Sequence, residues 1–298
     1  MEELNPNHLP FELTKEFIED IRLMIENQAN EEILLKLEEL FPADITSILI
    51  ELTTEEAKYL VLLIDTKLAA EIISTLDSDD RKKFLKNFTS KEIAQYINVI
   101  DSDDAVDILN EQPVKVREEV IALLKDREQA RFIIDLMHYD EDCAGGLMQK
   151  ELIKINISQT VTECVEEIRK QAEDVEKVYS VYVIDDDGKL LGTVSLKKII
   201  LAKRGSKIAD VYEDDEIVSV QTYASGEEVA DLMQKYDLEA IPVVDELGRL
   251  VGRITIDDIV DVIKEEADKD YQMAAGITQD VEADDSVYEH TKARLPWL

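Results

Sequence analysis

From Phe41 onward, apolar and polar positions along the chain recur with a period of twelve. Blocks begin at Phe41, Thr53, Asp65, Asp77, Thr89, Asp101 and Pro113. Those opening on Thr53, Asp65, Asp77, Thr89 and Asp101 start with a residue suited to a helix N-cap. The fifth, eighth, ninth and twelfth positions are mostly apolar: Ile45, Ile48, Leu49, Leu52; Ala57, Leu60, Val61, Ile64; Ala69, Ile72, Ile73, Leu76; Ile93, Tyr96, Ile97, Ile100. This i, i+3, i+4, i+7 stripe predicts amphipathic helices of about two turns. Helices that short are unstable alone, so each must bury its stripe against its neighbours in a superhelical stack. Residues 126–138 still read as helical, and Asp140-Glu-Asp-Cys-Ala-Gly-Gly146 then breaks the pattern at its glycine pair. The domain boundary is therefore expected at about residues 137 to 146.

Beyond it the period changes from helical to alternating, and the pattern is written twice. Tyr182-Val-Ile-Asp-Asp-Asp-Gly-Lys-Leu-Leu-Gly-Thr-Val-Ser-Leu-Lys-Lys-Ile-Ile200 returns as Pro242-Val-Val-Asp-Glu-Leu-Gly-Arg-Leu-Val-Gly-Arg-Ile-Thr-Ile-Asp-Asp-Ile-Val260. Each copy predicts strand, Asp/Gly turn, strand and the start of a helix. Upstream, Glu163-Cys-Val-Glu-Glu-Ile168 matches Glu227-Glu-Val-Ala-Asp-Leu232, which places a helix before each hairpin. A duplication this long fixes the architecture of half the chain.

Composition narrows the partners. The 298 residues suffice for two cored domains, and 45% of them are hydrophobic, which argues for a folded chain. Against 33 Lys and Arg stand 68 Asp and Glu, a formal net charge of −35. Such a surface repels nucleic acid and anionic membrane and attracts cations. The longest apolar run, Tyr59-Leu-Val-Leu-Leu-Ile64, is too short to span a bilayer. Met1-Glu-Glu does not open a signal peptide. Cys143 and Cys164 lack metal-ligand spacing and fit a reducing compartment, and His138 with Asp140, Asp142 and Cys143 matches no standard zinc site.

The two copies differ in charge where their last helices begin. The first has Lys197 and Lys198; the second has Asp257, Asp258, Asp261, Glu265, Glu266, Asp268 and Asp270 against Lys264 and Lys269. Folding needs neither version. A solvated face explains any single one of these acids, but their density favours a hard cation, since magnesium takes oxygen ligands.

The repeated unit, with Val-Val-Asp-x-x-Gly-x-Leu-x-Gly-x-hydrophobic-Thr before an acidic helix, resembles a CBS domain. In many such modules Gly-x-hydrophobic-Thr/Ser-x-x-Asp binds adenosine phosphates. The resemblance implies a nucleotide site at Gly252, Thr255 and Asp258, possible ligand ATP; the first copy has Gly192 and Ser195 but Lys198 in place of the Asp. The alternative is structural, with Gly252 closing a turn and Thr255 capping a helix.

The order of parts resembles the cytosolic region of MgtE-type magnesium transporters and channels, most specifically at Ala-Gly-Gly-Leu-Met148 and Ile-Thr-Ile-Asp-Asp-Ile-Val-Asp. The resemblance implies an α + α/β protein. It comprises a right-handed superhelix of short helices (1–137), CBS domain 1 (138–206), CBS domain 2 (207–270) and a C-terminal linker helix (271–298) leading toward a transmembrane domain absent from this chain. The last residues, Lys292-Ala-Arg-Leu-Pro-Trp-Leu298, look like an approach to a membrane interface. It further implies a soluble homodimer at the cytoplasmic face of the membrane, with several weak Mg2+ sites. By position, Asp103 and Asp107 would face Asp258 and Asp261, with Glu71 on the same face of the helical domain and Glu266 at the linker. Glu227 and Asp237 would form a further site within CBS domain 2, Gly146 would give a carbonyl oxygen, and Lys269 departs from the family's pattern. Two other functions stay open: an adenine-nucleotide sensor, and an acidic scaffold for protein partners. Catalysis is not expected: His8, His138 and His290 are scattered and no P-loop or Rossmann pattern is present.

Overall fold

The computed structural model describes residues 11–172, 175, 177–203, 205–213, 217–260, 262–264 and 267. The chain divides into two compact units, Met1–Asp135 and Leu136–Leu298.

The first unit is helical. After α1 (Lys15–Glu26) and α2 (Asn30–Leu37) come seven helices in twelve-residue steps: α3 (Pro42–Glu51), α4 (Thr54–Leu63), α5 (Thr66–Thr75), α6 (Ser78–Leu85), α7 (Ser90–Ile97), α8 (Ser102–Asn110) and α9 (Val114–Leu123). The helix α10 (Arg127–Leu136) closes the series. Each expected block start is the N-cap of its helix. Thr53 and Thr89 do the work of a capping box, each bonding the N3 amide while Glu56 or Glu92 reaches back. Asp77 holds the cap position without a side-chain hydrogen bond to the first turn. The predicted stripe is buried throughout except for half-buried Ile100. Packing runs between alternate helices, α3 on α5, α5 on α7 and α7 on α9, so a turn of the stack takes two helices.

In the second unit each copy builds a three-stranded sheet. In the first, β1 (Ile153–Asn156) lies parallel to β2 (Val181–Ile184), which is antiparallel to β3 (Leu190–Val194). In the second, β4 (Val220–Gln221), β5 (Ala240–Val244) and β6 (Leu250–Thr255) repeat that order. The crossover helices are α12 (Val161–Gln171) and α14 (Gly226–Tyr236), and α13 (Leu196–Leu201) follows β3 as a helix opening at Ile256 follows β6. Even the turns match. Asp185 Oδ1 accepts from the amides of Asp187 and Lys189, Asp245 Oδ1 from those of Leu247 and Arg249, and Gly188 and Gly248 take left-handed φ of 81° and 76°.

The copies are joined by exchanges. Leu190 N donates to Gly248 O and Leu250 N to Gly188 O, both at 3.0 Å, which marks an approximate two-fold axis between the hairpins. The segment leading into each copy pairs with the last strand of the other, Gln149 with Arg253 and Glu213 with Thr193. The junction is likewise docked on the second copy: Ala144 N bonds Ala224 O, Gly145 N bonds Thr222 O and Gly226 N bonds Asp142 O. The glycine pair expected to break structure forms the short helix α11 (Ala144–Leu147). It needs glycine for space: a Cβ on Gly145 would lie 2.3 Å from the Tyr139 ring, and one on Gly146 2.2 Å from the Asp140 carbonyl.

Candidate functional site

At the second copy's adenosine signature, Gly252 lies within β6 rather than in a turn, and the expected turn role is corrected accordingly. Its missing Cβ makes room for Met148 Sδ (2.5 Å) and Gln149 O (2.9 Å). Thr255 caps the helix that opens at Ile256, and Asp258 answers it: Asp258 Oδ2 accepts from Thr255 N at 3.2 Å and from Thr255 Oγ1 at 2.6 Å. In the first copy Ser195 caps α13 through the amide of Lys198, and the Lys198 ammonium is ion-paired with Glu213. That position presents a satisfied cation, which does not suit a ribose diol.

The proposed metal ligands fall on both units. Glu71 is exposed on α5. Asp103 and Asp107 lie one turn apart on α8, Asp103 buried at 8% exposure and Asp107 exposed. Beside them runs a buried ion pair that sequence reasoning passed over. Arg81 meets Glu111 at 2.6, 3.0 and 3.2 Å and bonds the Ser74 and Leu76 carbonyls. Burial alone would lower the Arg81 pKa, but the bonds and charge of Glu111, then Asp107 and Asp104, outweigh it and raise it. Gly146 sits inside α11. Asp261 and Glu266 lie outside the described residues.

One expected pair is not brought together. Glu227 is in the first turn of α14 and Asp237 is its left-handed C-cap, φ 52°. Ten residues of helix separate them by about 15 Å. Two carboxylates so placed cannot close on one ion with metal–oxygen distances of about 2.1 Å, so a shared site for both within one CBS unit is excluded. Among the described residues, no three His, Cys, Asp or Glu side chains converge on a point that would hold a metal. Nor, among them, is any helix long and apolar enough to cross a membrane.

The other missed residues are Gln149 and Arg253. An arginine in an otherwise apolar strand, where the first copy has Thr193, was the available signal.

Comparison with known proteins agrees with this architecture. Residues 40–142 match the MgtE intracellular N domain, and residues 144–205 and 208–265 each match the CBS domain. The chain is 36% identical to the magnesium transporter MgtE of Thermus thermophilus over 266 residues, 88% of this chain and 58% of that protein. With the magnesium transporter MgtE of Enterococcus faecalis it shares 36% over 171 residues, 57% of this chain and 37% of that one. It thus spans less than two thirds of these relatives. Among solved structures, the cytosolic domain of the Mg2+ channel MgtE in complex with ATP superposes with a TM-score of 0.76 at 32% identity, covering 82% of this chain and 99% of that one. The soluble part of a magnesium transporter gives 0.75 at 29%, covering 85% and 99%. A helical unit of capped twelve-residue steps followed by an interlocked CBS pair, matched over nearly the whole of a solved cytosolic domain, makes this chain a member of the MgtE family.

Proposed function

We propose that the chain is the magnesium-sensing regulatory region of a magnesium transporter or channel, working as a homodimer at the cytoplasmic face of the membrane. The observation that carries this reading is its match over 99% of the cytosolic domain of a Mg2+ channel, joined to a net charge of −35. Ligand chemistry supports it, because carboxylates are the hard oxygen donors that Mg2+ prefers. Asp103 and Asp107 of the helical unit would share ions with Asp258 and Asp261 of the second CBS copy, with Glu71, Glu266 and the Gly146 carbonyl nearby. Glu227 and Asp237 would then serve separate ions or ions shared between subunits.

The mechanism follows from charge. Without magnesium the acidic faces repel and the units stand apart. Bound ions neutralise those faces and draw together units and subunits. The expected linker (271–298), which lies outside the described residues, would then move and close the pore of the attached transmembrane domain. Each ion keeps part of its hydration, so the response is spread over several weak sites. Small-angle scattering on the 298-residue chain tests this. Millimolar magnesium is expected to shrink the radius of gyration, and sodium at equal ionic strength is not. Equal effects of both salts would leave an acidic scaffold as the reading, and no change with either would end the sensing proposal.

A second reading, adenine-nucleotide binding, is favoured by the ATP in the similar structure. Here it falls to Gly252, Thr255 and Asp258, since Lys198 is bound to Glu213 in the first copy. When bound, ATP would add a polyphosphate able to carry magnesium. The test is calorimetric titration of ATP without metal, where Asp258→Asn should abolish the heat.

A further inference from the structure

The two copies cross their common seam twice, and the crossings are built differently. In backbone they are equivalent: Gln149 and Arg253 exchange amide bonds of 2.8 and 3.0 Å, Glu213 and Thr193 bonds of 2.8 and 3.1 Å. Side chains break the equivalence. Arg253 is 2% exposed and gives Nε and Nη2 to Gln149 Oε1 at 3.0 and 2.8 Å. Its Nη1 bonds the Lys177 carbonyl at 3.1 Å, and its guanidinium lies 5.3 Å from the centroid of the Tyr179 ring. At the other crossing Arg253 is replaced by Thr193, and the tie is the Lys198–Glu213 ion pair, with side chains 43% and 52% exposed. Buried charge-assisted bonds hold far more firmly than an exposed, screened pair. The fold itself does not demand the arginine, because the first copy pairs its strands without one.

Position gives this difference a use. Segment 148–150 is the end of the junction from the helical unit; beyond the Gln149 bonds, Lys150 Nζ bonds the Val251 carbonyl at 3.0 Å and Met148 fills the space beside Gly252. Two residues after Arg253, β6 ends at Thr255, the cap of the acidic helix.

We infer that Arg253 is a positioning residue: it locks the junction onto β6 as a fourth strand, so that a displacement of the junction is carried into the helix bearing Asp257 and Asp258. The Glu213 crossing is the one that yields. The regulatory use of this coupling rests on the magnesium-sensing reading; the coupling itself is tested without metal.

Amide hydrogen exchange on the 298-residue chain is the experiment. In metal-free buffer, Arg253→Met should speed exchange of the Gln149 amide and of the helix amides at 256–260 together, by about 10-fold or more. Arg253→Lys, which keeps the charge and loses the fork, should fall between that and the native protein. Glu213→Gln should loosen the Thr193 and Glu213 amides and leave 256–260 unchanged. Should Arg253→Met not fold, Gln149→Ala poses the same question with the arginine in place. Exposure of Gln149 with the helix at its native rate would overturn the inference, as would a helix loosened equally by Glu213→Gln. Adding magnesium separates the two ideas: native protein whose helix ignores the ion refutes sensing and leaves the coupling standing.

Discussion

Arg81 keeps a full charge inside the helical unit because Glu111 and two carbonyls accept from four of its five N–H groups. Both side chains are about nine-tenths buried, so removing one partner strands the other. Glu111→Ala should lower stability by about 3–5 kcal/mol in urea unfolding. A paired Arg81→Met, Glu111→Leu replacement should recover most of that loss. Neither residue stood out in the sequence, where a charge in a helical block reads as solvated surface. The same prior hid Arg253. Thr255 was legible as a cap because a Thr at a helix start is a local signal, whereas Asp258 was read only as a ligand and its bonds to Thr255 were not foreseen. Glu227 and Asp237 were misread for the opposite reason: family position suggested a shared ion that the length of α14 forbids.

At the scale of elements, capping residues set the rhythm of the helical unit. Glu92 accepts from the backbone and hydroxyl of Thr89 and from Lys58 at 3.1 Å. The Thr89 backbone bond is the main cause holding its carboxyl below the usual 4.5; burial opposes it, and the Thr89 hydroxyl and Lys58 add to it. A depressed carboxyl stabilises the fold above its unfolded value and loses that contribution as pH falls through the folded one. Glu92→Gln should therefore flatten the decline in melting temperature as pH falls below the usual carboxylate range, as calorimetry would show. The strands make a steric prediction. A Cβ on Gly192 would stand 2.1 Å from the Glu213 carbonyl, whereas one on Gly252 meets the flexible Met148 side chain first. Gly192→Ala should thus destabilise by about 1–3 kcal/mol and Gly252→Ala by less, in thermal melts. Helix starts and hairpins were readable in the sequence because caps, stripes and Asp/Gly turns are local. The four-residue helix at the glycine pair was not: its glycines answer to Tyr139 and Asp140, and no periodicity reports that contact.

For the whole molecule, duplication announced two modules in sequence but not how they interlock. The pairing of Gln149 with Arg253 joins residues about a hundred positions apart through single bridges, too short to leave an alternating pattern. As a result the junction that precedes the first copy in sequence is held by the second in space. The reciprocal bonds between Gly188, Leu190, Gly248 and Leu250 carry one more consequence. Each turn offers one amide and one carbonyl in the same places, so each is self-complementary. Separated from the first copy, a fragment from about residue 206 onward would keep a turn able to recognise its own duplicate. Two such fragments should find each other in solution and rebuild the axis between chains, as a dimer in analytical sedimentation; replacing Leu250 by proline, which removes the shared amide, should leave them apart.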